Sequence, residues 1–278
     1  MAVSLDDLRD VGILISCALQ PRLRPAVHPI YRGLLGRYRT EPGFRDATRS
    51  ILDGMDLLVL SDAAELGLVL GPRRESLFAA RLADVPNVTS VEHRLLVGLI
   101  TAGIAAYAYP APESFDDDRV RYVAVGDLER FLRQTCVHLQ RGTAAPVDDE
   151  GLEEAWRTYE RMPAVHRAER GRTTGRLSPA CTTFWITVVL DWLTGQGMAR
   201  MAERHGPAAY QLLERFRVQV GELAGHEAYR LLAVARRQDA GPDATVAPPD
   251  GQPADGRPGA GEPGSTGPDG AGARGRVQ

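Results

Sequence analysis

A mainly α-helical protein carrying small β-hairpins is the fold class this sequence predicts, and three observations predict it. Apolar residues recur at helical spacing through most of residues 5–237. Twice, a helical stretch runs directly into two short apolar runs parted by a polar break, the pattern of strand, turn and strand. From Gly241 onward the chain is Gly, Pro and Asp with almost nothing apolar. Such a composition cannot offset its ordering entropy, so residues 238–278 are expected to form a disordered tail.

The elements follow in order. Leu5 to Gln20 reads as a helix with Leu8, Val11, Ile15 and Leu19 on one stripe, broken by Pro21 and Pro25. A second helix begins near Pro29, a residue tolerated in a first turn. The third, from about Glu41 to Met55, carries Phe44, Ala47, Ile51 and Met55 along one face. "DLLVLSDAAELGLVLGP" follows at once as a ribbon over Asp56 to Leu70, with its break at Ser61 to Ala64. Three short helices with a hairpin directly after the third is the order of a winged helix, a helix-turn-helix variant whose hairpin is the wing.

A linker over 75–89 leads to a second part. "VEHRLLVGLITAGIAAYAYP" predicts a buried core helix, since its charged start leaves too short an apolar run to span a bilayer. "APESFDDDR" reads as a polar loop and "VRYVAV" as a short strand. "GDLERFLRQTCVHLQ" is an amphipathic helix with Leu128, Phe131, Leu132 and Cys136 inward, and "DEGLEEAWRTYERM" is another, stopped by Pro163. After an arginine-rich loop, Ser178 is the expected N-cap of a helix with Pro179 at its first position. Phe184, Val188 and Trp192 share a face of that helix, and Gly195-Gln196-Gly197 ends it. "MARMAERHGPAAYQLL" then predicts strand, turn and strand, and a last helix runs from about Arg215 to Arg237. The expected organisation is a first winged-helix domain over 1–74, the linker, a second winged-helix domain over 90–237 with an inserted helix and basic loop, and the tail.

At 278 residues with 44% hydrophobic content, the chain has ample material for buried cores. Its formal charge of -3 belongs wholly to the tail, so the body is neutral and carries no global basic field. All 33 cationic residues are arginine, which points to codon bias in a GC-rich genome. Cys17, Cys136 and Cys181 lie far apart and suggest no disulfide framework, so a reducing cytoplasm is the expected compartment. The N-terminus is acidic where a signal peptide would be basic.

Two successive helix–wing units, carried by "GMDLLVLSDAAELGLVL", by "VEHRLLVGLITAGIAAYAYP…VAVGDLERFLRQTC" and by "TTFWITVVLDWLTGQGMARMAE", resemble the kite proteins. These are the MukE- and ScpB-like tandem winged-helix accessory subunits of bacterial SMC-type complexes, including the MksB and Wadjet systems. The resemblance spans most of residues 5–232. It implies a cytoplasmic, nucleoid-associated homodimer that binds kleisin-like and SMC-like subunits, in chromosome organisation or plasmid defence, with weak non-specific contact to double-stranded DNA.

The strongest local charge feature is "RTYERMPAVHRAERGRTTGR". Arg157, Arg161, Arg167, Arg170, Arg172 and Arg176 face only Glu160 and Glu169 there. Such a segment beside the second recognition helix is placed to touch phosphates, contacts that position a protein without reading sequence. Its alternative is a solvated loop paired with acids such as Glu153 and Glu154. "DDDR" at Asp116 to Arg119 reads as a solvated loop rather than a metal site, because adjacent carboxylates diverge. Cys181 with His166 lacks an orienting third group for a thiol nucleophile. No phosphate-binding, dinucleotide or nucleophile-elbow motif occurs, so no enzyme, metal or cofactor is expected. A freestanding winged-helix regulator is the rival reading. Against it, "TTFWITVVLDWLT" has almost no side chain able to read a base edge, and "FRDATRSILDGM" offers Arg45 and Arg49 alone.

Overall fold

The computed structural model describes residues 4–73, 76, 81–115, 117, 119–140, 150–167, 175–206, 208–223 and 227–240. By their contacts residues 1–244 hold together as one unit. The fold is mainly helical with two small antiparallel sheets. Apart from the first few residues of the tail region, which continue the last helix to Ala240, the expected tail falls outside the described residues.

The first lobe holds α1 (Leu5–Ala18), α2 (Pro29–Thr40), α3 (Pro42–Gly54), β1 (Leu57–Ser61) and β2 (Val69–Pro72). Ser4 caps α1 by a reciprocal exchange with Asp7: the Asp7 amide donates to Ser4 Oγ at 3.0 Å while the Ser4 amide donates to the Asp7 carboxylate at 3.3 Å. Arg37 on α2 reaches Asp7, Asp10 and its own neighbour Glu41, which ties the start of α1 to the end of α2. The α1 stripe lies one step round from the expected one. Leu14 and Ala18 are buried with Val11 and Ile15, while Leu8 and Leu19 are exposed. On α3 the deepest residues are Phe44, Thr48 and Leu52, and Ala47, Ile51 and Met55 pack at the edge of the same core. Thr48 is admitted because its hydroxyl donates to the Phe44 carbonyl at 2.8 Å.

The hairpin pairs Leu57 with Pro72 and Val59 with Leu70, with a bulge before Ser61 opposite Val69. Its second strand starts later than the alternation suggests. The Leu68 amide donates to the Tyr31 hydroxyl at 2.8 Å instead of to a strand partner, and Gly67 turns beneath it at φ +83°. A Cβ at Gly67 would fall 2.2 Å from the Tyr31 oxygen, so only glycine fits there.

The second lobe is built on α4 (Val91–Ala108), capped by the Ser90 hydroxyl accepting from the His93 amide. α4 is long and apolar enough to cross a membrane by length and composition, yet half of it is buried in the protein. It packs against α5 (Val125–Gln140), α6 (Glu150–Arg161), α7 (Thr182–Gly195) and α9 (Glu227–Ala240). The predicted strand before α5, β3 (Arg121–Ala124), joins the later pair β4 (Ala199–Met201) and β5 (Ala209–Leu212) in one antiparallel sheet of order β3-β5-β4. A separate core fills this lobe, around Ile100, Ile104, Leu132, Trp185 and Leu190.

One expectation about α7 needs correction. α7 begins at Thr182, not after Ser178: Ser178 and Pro179 form a turn in which the Cys181 amide donates to the Ser178 carbonyl at 3.1 Å. The first amides of α7 need no side-chain cap, because Thr182 and Thr183 donate to the Pro163 and Ala164 carbonyls, both at 3.1 Å. The face carrying Phe184, Val188 and Trp192 is the less buried one, and Trp185, Ile186, Val189 and Leu190 lie deepest. The expected last helix is helical over both of its described stretches, α8 (Glu214–Leu223) and α9, and residues 224–226 lie outside the described residues.

Candidate functional site

The arginine-rich segment leaves the body between α6 and α7, and a polar network holds both of its ends. Glu129 and Arg133 sit one turn apart on α5. The Arg133 guanidinium donates to the Glu129 carboxylate at 2.7 Å, to the Glu160 and Met162 carbonyls at the end of α6 at 3.3 and 3.1 Å, and to the Thr182 hydroxyl at 3.3 Å. Thr182 in turn donates to Glu129 at 3.1 Å. A cation therefore closes the carbonyl end of α6 while the same ion pair grips the amide end of α7. The side chain of Glu129 is 12% exposed, so its charge rests on these partners. Tyr159 lies under the same guanidinium, with the ring centroid 5.5 Å from it.

Beyond that clamp, Arg167 and Leu177 form an antiparallel bridge, and the Ser178 amide donates to the His166 carbonyl at 2.8 Å. The base of the segment is thus a short closed rung. Of the six predicted phosphate-contacting residues, Arg157, Arg161, Arg167 and Arg176 are described, and all four are exposed. Arg170 and Arg172 lie outside the described residues. Arg157 pairs with Glu153 one turn back on α6, as the solvated-loop alternative anticipated for that residue. Arg161 donates to the Arg157 carbonyl at 3.1 Å and Arg167 to the Gly175 carbonyl at 2.7 Å, so neither of these bonds neutralises its charge.

The helices before the hairpins offer less to a partner than their residue types suggest. On α3, Arg45 turns back to the Tyr38 and Arg39 carbonyls at the end of α2, and Arg49 donates to the Tyr38 hydroxyl at 3.3 Å. α7 presents Phe184, Val188 and Trp192 on its less buried side. The α7 face carries no amide or guanidinium group of the kind that discriminates base pairs in a groove, and the two guanidinium groups of α3 are engaged by the end of α2.

The remaining chemical candidates resolve as follows. Cys181 is fully buried, and its thiol faces the Ser178 carbonyl at 3.2 Å and the His166 main-chain carbonyl at 3.7 Å. Burial pushes the Cys136 thiol up to about 12, away from the thiolate form that nucleophilic chemistry needs. Asp117 pairs with Arg119 and Arg121, and residues 116 and 118 lie outside the described residues. Among the described residues no group of three His, Cys, Asp or Glu side chains could hold a metal.

The clamp was missed by sequence reasoning. Its ion pair has the spacing of an ordinary helix-surface Glu–Arg pair four residues apart, and nothing local tells that the main-chain acceptors come from α6 and the segment beyond it. No protein-family model matches the chain, and no curated protein and no solved structure matches it.

Proposed function

We propose that this protein is a tandem winged-helix, non-enzymatic accessory subunit of a bacterial SMC-like complex. On this reading it is a cytoplasmic homodimer that binds kleisin-like and SMC-like subunits and touches double-stranded DNA weakly through the arginine segment. Its process is chromosome organisation or plasmid defence. The observation that carries the reading is the repeated order of elements. In each lobe a helix (α3 or α7) runs directly into an antiparallel strand pair, and in the second lobe the strand preceding α5 completes the sheet in the order β3-β5-β4. That order is the one in which a winged helix folds its recognition helix against its wing. The shortage of base-reading groups on α3 and α7 favours an assembly role over a freestanding regulator. The exposed arginines between α6 and α7 favour contact with phosphates over contact with bases.

The test is co-purification. The tagged full chain, expressed with the products of its neighbouring genes, is expected to retain a large coiled-coil ATPase and a kleisin-like subunit, and light scattering on the protein alone is expected to give a dimer. A monomer that retains no partner contradicts the proposal.

A further inference from the structure

A cavity of about 810 Å³ lies between the two lobes, well within the range of roughly 300–1,000 Å³ typical of small-molecule sites. One wall is the first hairpin, including Leu60. Another part of the wall is the side of α4 bearing Gly98 and Ala102, and Trp192 of α7 also lines the cavity. The wall that α4 contributes, from Arg94 to Ala105, is about 16 Å long at 1.5 Å per residue. Most of this surface is apolar, and among the described residues that line it the charged ones are two cations, Arg94 and Arg215, with no acid.

Arg215 is the unusual member. Its side chain is half-buried and bridges the lobes, donating to the Pro21 carbonyl at 3.2 Å and the Ala18 carbonyl at 3.4 Å, at the end of α1. These two bonds use part of a guanidinium that has five N–H donors. The charged or ionisable groups that bear on it are Arg24, a second cation, and the Tyr31 hydroxyl, with no carboxylate among them. Burial disfavours its charged form. A cation withdrawn from water with no anion beside it is costly, and an anion supplied by a ligand would offset that cost. A largely apolar cavity that includes such a cation suits an alkyl chain attached to that anion.

We propose that this cavity binds a single-chain fatty carboxylate, with its alkyl chain along α4 and its carboxylate paired to Arg215. The site is independent of the arginine segment and of any DNA contact. The probe is sodium dodecanoate, titrated by calorimetry into the full chain after passage over a lipid-removing resin. Decanoate, butanoate and dodecan-1-ol serve as comparisons. The expected result is saturable one-to-one binding that strengthens with chain length, by about fourfold per methylene at full burial. Dodecan-1-ol, with the same chain and no charge, is expected to bind at least about tenfold more weakly, since a charge-assisted pair is lost.

Two variants locate the site. Ala102→Phe leaves Arg215 itself in place, enlarges a side chain that lines the cavity, and should weaken dodecanoate about tenfold or more while leaving the circular dichroism spectrum unchanged. Arg215→Gln should erase the preference for dodecanoate over dodecan-1-ol. Because that change also removes a contact to the end of α1, the Ala102→Phe result decides if it fails to fold. Dodecanoate binding no tighter than butanoate, or undiminished in Ala102→Phe, would overturn the proposal. So would a protein segment whose binding Ala102→Phe blocks in a chain that takes up no dodecanoate.

Discussion

The two lobes share an order of elements but hold their arginines differently. In the first, Arg37 ties α1 to α2 through Asp7, Asp10 and Glu41, and Arg45 and Arg49 fold back from α3 onto Tyr38 and Arg39. In the second, one arginine, Arg133, is drawn inward as a clamp, and the segment it anchors carries exposed arginines away from the helices. Element order alone therefore does not set how each lobe disposes its arginines. The first lobe uses its cations for its own cohesion. The second uses one half-buried cation to hold an insertion whose described arginines, Arg167 and Arg176, are exposed.

The lobes meet at a narrow place, and breaking it should have the largest effect. Gly197, just past the end of α7, has φ +68°, and a Cβ there would come within 2.3 Å of the Pro21 carbonyl oxygen in the first lobe. Gly197→Ala therefore adds backbone strain to a clash with main chain, and should cost about 2–5 kcal/mol. Gly195, inside the same helix with nothing within 4 Å of its added Cβ, is the control. Gly195→Ala should be neutral or stabilising by up to about 1 kcal/mol. Thermal unfolding of both variants measures the contrast. Equal melting temperatures would mean the lobes do not meet at this point.

A smaller effect sharpens the contrast between the two arginine networks. Arg133→Ala strips Glu129 of its counter-charge and removes the guanidinium bonds to the carbonyls at the end of α6, which should cost about 2–4 kcal/mol in denaturant unfolding. Arg37→Ala, in a more exposed network, should cost less than half as much, because water takes over the freed carboxylates. Similar losses would show that the first lobe depends on its arginine as much as the second does.

The smallest effect belongs to the tail. Its Gly, Pro and Asp composition predicts that truncation after Ala240 leaves helix content and melting temperature nearly unchanged by circular dichroism. A clear loss of stability would assign the tail a packed role.

Much of this layout is legible in the sequence because local rules govern it. Proline at the starts of α2 and α3, the polar breaks inside the hairpins and the inward set Leu128, Phe131, Leu132 and Cys136 all stand where periodicity and turn chemistry put them. What local rules cannot reach is any choice made by distant partners. The start of α7 was misread because its amides are satisfied by Pro163 and Ala164 rather than by a neighbouring serine. The second hairpin strand was misread because Tyr31, on α2, takes the Leu68 amide. The buried stripe of α1 lies one step from the expected one because several apolar residues compete for the core and packing selects among them. At the candidate site the exposed arginines were read from composition, whereas the clamp beneath them joins residues up to 53 positions apart and leaves no local trace.

The proposed DNA contact goes through phosphates at the arginine segment and carries no sequence preference. Fluorescence anisotropy on two unrelated duplexes across a salt series tests it, with the wild type and Arg167→Glu/Arg170→Glu/Arg172→Glu side by side. Each phosphate contact contributes about -0.9 to the slope of log affinity against log salt, so loss of three contacts should flatten that slope by about two to three units. The account predicts equal wild-type affinities for both duplexes and that flattened slope in the variant. An unchanged slope, or a strong preference for one duplex, would contradict it.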